Sequence, residues 1–194
     1  AYEELKEFAE KSQIPVVTTL LGLSAMKSNH VLNLGLPGMH GSAFANKAID
    51  EADLIIAIGM RFDDRVTGNL KTFATKARII HIDIDPSEIG KNILPEIAIV
   101  GDAGTVLRQL LQLSSKKTHP KWLQEIDQLR INHPLSYPET DRMLPQFIVE
   151  EISRITEGQA IIVTGVGQHQ MWAAQLYEFK DNNLFISSGG VGAM

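Results

Sequence analysis

The sequence predicts an α/β protein, a doubly wound parallel sheet followed by the start of a second α/β unit. Three observations predict it. Helical and β-branched apolar stretches alternate along the chain, as in strand-helix-strand units built on a parallel sheet. The strand candidates are short continuous runs rich in Ile and Leu, such as Leu54 to Ile58, which suits strands buried on both faces. Glycines and charged residues follow those runs directly, where open parallel sheets bind ligands.

The elements follow in order. Leu5, Phe8 and Ala9 lie on one face of a helix that ends before Pro15, and Val16-Val17-Thr18-Thr19 reads as a β-branched strand. Gly41 to Ala52 reads as a helix leading into the strand Leu54 to Ile58. Arg78 to Asp83 and Ile97 to Asp102 are further strands. In the helix after them Asp102 stands at the N-cap, and Val106, Leu107, Leu110 and Leu111 share one face.

Composition then shifts. Ser114 to Thr118 is polar, a helical pattern runs through Trp122, Ile126 and Leu129, and Asn132 to Arg142 carries two prolines. From Leu144 a helix begins with Pro145 in its first turn and Ile148, Ile152 and Ile155 at helical spacing. A strand from Ala160 to Thr164, a helix near Gln170 to Glu178 and a strand from Leu184 to Ser187 complete the pattern. The expected organisation is a middle domain over 1–113, an interdomain linker over 114–143, and the beginning of a second domain over 144–194. The chain opens without an initiator Met and stops on a glycine-rich turn, so it is expected to be cut from a longer protein.

Composition bounds the function. Across 194 residues the formal charge is −5, with a pI near 5.7, which argues against broad attraction to nucleic acid or anionic membrane. Any phosphate must be held locally. There is no cysteine, hence no disulfide framework or thiolate metal site. No apolar stretch reaches the roughly 20 residues that a membrane span needs.

Four loops carry candidate chemistry. Gly35-Leu36-Pro37-Gly38-Met39-His40-Gly41 leads into a helix, where glycines permit close backbone approach and free N–H groups suit a phosphate; a purely structural turn capped by His40 is the alternative. In Gly59 to Gly68, reading G-M-R-F-D-D-R-V-T-G, Arg61 and Arg65 offer forked donors to phosphate or carboxylate, and Asp63 and Asp64 orient them or accept from hydroxyls. The alternative there is a solvated loop with surface ion pairs. In His81-Ile82-Asp83-Ile84-Asp85-Pro86 a ligand role is favoured for Asp83 and a turn-capping role for Asp85, while Asp102 suits both. Gly165-Val166-Gly167-Gln168-His169, at a strand end, resembles a diphosphate cradle; a structural histidine satisfied by its neighbours is the alternative for His169.

Taken together, T-T-L-L-G (18–22), L-P-G-M-H-G (36–41), G-M-R-F-D-D-R-V-T-G (59–68), H-I-D-I-D-P-S-E-I-G-K-N (81–92), G-Q-H-Q-M-W-A-A-Q (167–175) and S-G-G-V-G-A-M (188–194) resemble the large catalytic subunits of acetohydroxyacid synthase, also called acetolactate synthase, within the thiamine diphosphate enzymes. The resemblance covers essentially the whole chain. It implies a Rossmann-like middle domain holding FAD, then the start of the domain that binds the diphosphate end of thiamine diphosphate.

By that resemblance Thr19, Leu20, Leu21, Met39, His40, Gly59, Arg61, Asp63, Arg65, Val66, Asp83, Ile84 and Asp102 match positions that contact or line the flavin nucleotide. Arg65 would also meet the carboxylate of the second 2-oxoacid substrate. Val166, Gly167, Gln168 and His169 match residues beside thiamine diphosphate, and Gly192 and Met194 match the turn near its pyrimidine and thiazolium.

The implied reaction condenses two pyruvates, or pyruvate and 2-oxobutyrate, with loss of CO2, in branched-chain amino-acid biosynthesis. The resemblance further implies Mg2+ with the diphosphate, catalytic subunits that are at least dimeric, a regulatory small subunit, and a bacterial cytosol or plastid stroma as location. The metal-binding G-D-G motif is missing, since Gly101-Asp102-Ala103 does not supply it. By the same resemblance the glutamate that activates the cofactor would lie in an amino-terminal domain outside this chain. No catalytic residue and no metal ligand is therefore expected in this chain, and the chain alone is expected to be inactive. Another flavin-binding thiamine diphosphate enzyme matches the paired motifs less well, and a non-catalytic flavoprotein module fits the sheet but leaves the second glycine loop and the second α/β unit unexplained.

Overall fold

The computed structural model describes residues 1–189. Helix α1 (Tyr2–Ser12) is followed by a 3-10 turn (Leu20–Gly22), α2 (Ala43–Glu51), β1 (Leu54–Ile58), a short α3 (Asp64–Thr67), β2 (Arg78–Asp83), β3 (Ile97–Val100) and α4 (Ala103–Leu113). Then come α5 (Pro120–Asn132), α6 (Pro145–Ile155), β4 (Ile162–Thr164), α7 (Gln168–Leu176) and β5 (Phe185–Ser187).

Strands β1, β2 and β3 form a parallel sheet in that order, in register from Leu54 opposite Arg78 and from Ile80 opposite Ile97. The α/β fold class is as the alternating pattern predicts. Strands β4 and β5 pair in parallel as a second sheet, Ile162 opposite Phe185. Among the described residues no helix is long and apolar enough to cross a membrane.

Local chemistry sets the helix starts. The Ser42 hydroxyl accepts from the Ala45 N–H and so satisfies one of the donors left over at the first turn of α2. Asp102 does the same for α4 through Thr105. Pro145, whose fixed φ suits the first turn, opens α6. Helix α4 then lies against β2, where Leu107 and Ile82 are fully buried. Each such side chain contributes about 1.5–3 kcal/mol relative to leaving it in water.

One predicted strand is corrected. The stretch Val16 to Thr19 forms no regular strand; it makes a single parallel bridge, Val16 with Asn33. Its backbone bonds run to the segment 32–35 (Val16 N to Leu32 O, Leu34 N to Val16 O, Thr18 N to Gly35 O) instead of to β1. Gly35, at a φ of 71°, turns the partner segment away, and the 3-10 turn begins at Leu20, so the pairing has no room to lengthen.

The interior has several clusters. Ala57, Phe62 and Ile79 pack on one face of the first sheet with Phe73 and Ile93 beside them. Helix α5, within the segment read as a linker, is not free of the body. Its Ile126 packs with Leu34, Ala45 and Ala48, and the Arg130 guanidinium donates to the carbonyls of Val31 and Asn33. A further cluster joins Leu23 and Leu36 to Ala173, Tyr177, Phe179 and Phe185.

Candidate functional site

The parallel register brings the carboxyl ends of β1, β2 and β3 to one level. Gly59 N donates to Ile82 O at 2.8 Å, and Gly101 N donates to Asp83 O at 2.9 Å. Gly59, with φ at 61° and open space where a side chain would start, turns the chain off β1 at this crest.

The next residues are arranged around Phe62. It is 2% exposed and has a φ of 51°, in the left-handed region that a non-glycine residue rarely occupies. Its ring meets His81 edge-on at 5.1 Å and Phe73 at 6.1 Å. The Asn92 side-chain amide donates to the carbonyls of both Arg61 and Phe62, at 3.0 and 3.1 Å. With Phe62 turned inward, Arg61 and Asp63 project outward and pair at 3.2 Å.

Asp63 also accepts from Arg65 N as the N-cap of α3, a helix that lies inside the loop read from sequence. The Arg65 guanidinium is 68% exposed, with Asp64 at 3.9 Å. The loop 36–41 crosses this helix, for Met39 N donates to Arg65 O at 2.8 Å. Asn46 grips the loop from the other side, accepting from Gly38 N and donating to Gly38 O.

The predicted flavin residues thus fall into groups. Met39, Arg65 and Val66 come together where the two loops cross, and Gly59, Arg61, Asp63, Asp83 and Ile84 share the sheet crest. Ile84 is exposed, whereas Asp83 is buried and accepts from Asp85 N at 2.9 Å. Thr19, Leu20 and Leu21 lie on the 3-10 turn and its cap, Leu21 exposed. A cavity of about 600 Å³ runs between the segment 15–19 and β1, lined by Thr19, Pro37, Ile56, Met60 and Val66. Arg61, Asp83 and Asp102 do not line it.

Asp102 acts as a cap. One carboxylate oxygen accepts both the N–H and the hydroxyl of Thr105. Asp85 caps its turn through Ser87 N, as read from sequence. Hydrogen bonds from Thr105 and from Ser87 hold the two carboxyls below the ordinary aspartate value of 3.8. A lowered native value stabilises the fold above the unfolded value, and that contribution is lost as the pH falls through the lowered one. Acid titration of unfolding free energy should therefore show a loss beginning near pH 3.8 that is smaller in Asp102→Asn. An unchanged acid limb in that variant would discard the assignment.

In the second unit the hydroxyl of Thr164, at the end of β4, is buried without a hydrogen-bond partner. Gly165, Val166 and Gly167 follow, and a side chain started at Gly167 would stand 3.1 Å from the His169 ring, which folds back over the loop. Gly167 caps α7 without a side-chain bond, and Gln168 and His169 are exposed in its first turn. Small residues, helix N–H groups and an unmatched hydroxyl suit a diphosphate. Exposed guanidiniums at a strand crest likewise suit a dinucleotide. Gly192 and Met194 lie outside the described residues.

Sequence reading missed the side-chain amides. Asn46, Asn92 and Gln170 each bond to a candidate loop, and Gln175 Nε2 donates to His40 O at 2.7 Å, joining α7 to the loop 36–41. Asn92, Gln170 and Gln175 stand inside the quoted motifs, yet nothing in their spacing marks them. Among the described residues no three His, Asp or Glu side chains are grouped to hold a metal ion.

Residues 1–110 match the family described as thiamine pyrophosphate enzyme, central domain. The chain is 48% identical over 201 residues to the acetolactate synthase large subunit of Corynebacterium glutamicum, covering all of this chain and 32% of that protein. It is 46% identical over 199 residues to the chloroplastic acetolactate synthase 1 of Zea mays and 48% identical to that of Oryza sativa subsp. japonica, covering 99% of this chain and 31% of each relative. The chain spans about a third of the length of these curated relatives.

Proposed function

Because the chain belongs to the thiamine pyrophosphate enzymes, matched through their central domain, we propose that it is part of an acetolactate synthase catalytic subunit. That enzyme condenses two pyruvates, or pyruvate and 2-oxobutyrate, with loss of CO2. The observation that carries the reading is the crest of the first sheet, where Arg61 and Arg65 stand exposed on a loop that Phe62, Asn92 and Asp63 fix in place. Identity of 46–48% along the whole chain to proteins of that name supports it.

In this reading residues 1–113 are the FAD-holding middle domain, 114–143 the linker, and 144–194 the beginning of the thiamine diphosphate domain. Arg61 and Arg65 take the flavin phosphates and Asp83 a ribose hydroxyl, with Thr19, Leu20, Leu21, Met39, His40, Gly59, Asp63, Val66, Ile84 and Asp102 around them. Val166, Gly167, Gln168 and His169 take the thiamine diphosphate end, with Gly192 and Met194 near its rings. When bound, thiamine diphosphate supplies the electron sink for decarboxylation. Arg65 receives the carboxylate of the acceptor oxoacid in a forked pair, so a plain aldehyde competes poorly. Mg2+ accompanies the diphosphate on ligands outside this chain. The assembly is a homo-oligomer of catalytic subunits with a regulatory subunit, in cytoplasm or plastid.

The test uses the full-length protein supplied with FAD, thiamine diphosphate and Mg2+. Acetolactate should form from pyruvate, and Arg65→Met should raise the KM for the acceptor oxoacid by about 10- to 100-fold, the cost of one charge-assisted pair. A protein that forms no acetolactate and binds no FAD would end this assignment.

A further inference from the structure

We propose that Gln170 is the positioning residue that fixes the two strand-end loops of the second sheet against each other, and so sets the shape of the thiamine diphosphate site. The inference rests on the reading of that site given above. Strands β4 and β5 end side by side, Thr164 opposite Ser187. The loop after β4 carries Gly165, Val166 and Gly167; the turn after β5 begins at Ser188 and Gly189.

Gln170, one turn into α7, is 1% exposed. Its amide nitrogen donates to the Ser187 hydroxyl at 2.6 Å and to the Gly189 carbonyl at 2.8 Å, using both hydrogens. Its backbone N–H donates to Gly167 O at 3.1 Å. Gly189 N donates in turn to the Ser187 hydroxyl, and Gly189 sits at a φ of 69°. The side chain therefore ties the turn after β5 to the first turn of α7, whose own backbone is bonded to the loop after β4.

A buried amide of this kind resists displacement, because any movement of the Ser187 to Gly189 turn relative to α7 leaves a polar group unmatched. A methionine fills nearly the same volume with no donor, so packing alone does not require the amide. The bonds are spent on the Ser187 to Gly189 turn, whose carbonyl and N–H groups they orient. Gln170 itself makes no contact with a cofactor in this assignment.

The test is calorimetric titration of the full-length apoprotein with thiamine diphosphate in the presence of Mg2+, and separately with FAD. Gln170→Met and Gln170→Glu should each raise the thiamine diphosphate Kd by about tenfold or more, with FAD affinity kept. Ser187→Ala should weaken binding by less, and Ser187→Thr, which keeps the hydroxyl, should restore it. Wild-type thiamine diphosphate affinity in Gln170→Met overturns the proposal, as does equal loss of FAD and thiamine diphosphate, which marks a merely structural role. A wild-type protein that binds FAD but no thiamine diphosphate overturns the underlying site reading, and this positioning role with it.

Discussion

Gly38→Ala is expected to destabilise the fold by about 3 kcal/mol, the combined cost of left-handed backbone strain and overpacking. Gly38 has a φ of 89°, and a side-chain carbon there would stand 2.3 Å from Arg65 O and 2.7 Å from Val66 Cα. Both are backbone atoms, so no rotamer change relieves the clash. Asn46 holds Gly38 from the other side through its N–H and its carbonyl. The loop must therefore lift away from α3, breaking the bond from Met39 N to Arg65 O. Since folded domains hold only about 5–15 kcal/mol in reserve, denaturant unfolding should register this as a large drop in midpoint. Flavin affinity should fall as well, because Arg65, Val66 and Met39 lose their common frame. A variant with the wild-type midpoint would show that the two loops are not packed this closely.

Phe62→Ala should cost about 3–4 kcal/mol, as large-to-small changes at buried aromatics do. The ring fills space between His81 and Phe73, and its loss opens a cavity beside an imidazole whose two nitrogens have no hydrogen-bond partner. The left-handed backbone at Phe62 is tolerated because burial of the ring and the Asn92 amide hold it there. Once the anchor is gone the turn relaxes, and Arg61 and Asp63 are no longer aimed at the crest. The companion variant Asn92→Ala removes two partly exposed hydrogen bonds, with an expected cost nearer 1 kcal/mol. Both should weaken FAD binding in the full-length protein, Phe62→Ala more strongly. Urea unfolding together with flavin titration measures the pair. Full flavin affinity in Phe62→Ala would remove Phe62 as the pivot of the loop.

What was legible in the sequence follows from range of interaction. Leu54 to Ile58 and Arg78 to Asp83 read as strands because an uninterrupted apolar run is a local property, and Asp102 reads as the cap of the helix that follows it directly. The fate of Val16 to Thr19 was not legible, since a β-branched stretch declares extended backbone but not its partner, and here the partner is the irregular segment 32–35. In the candidate site the charged residues stood out by type. Their supports did not. Asn46 acts on Gly38, Asn92 on Phe62 and Gln170 on Gly189, and each depends on a close approach that only the folded chain creates. Short caps also explain why Asp63 and Asp102 serve local geometry: a carboxylate two or three residues from a free N–H is captured first by its own chain.

The apolar cluster shared by Leu23, Leu36, Tyr177, Phe179 and Phe185 reaches across the division at residues 114–143. Severing the peptide there would not yield two separable halves. Each half would carry away one side of a common hydrophobic seam, so a cut there exposes apolar surface on both pieces.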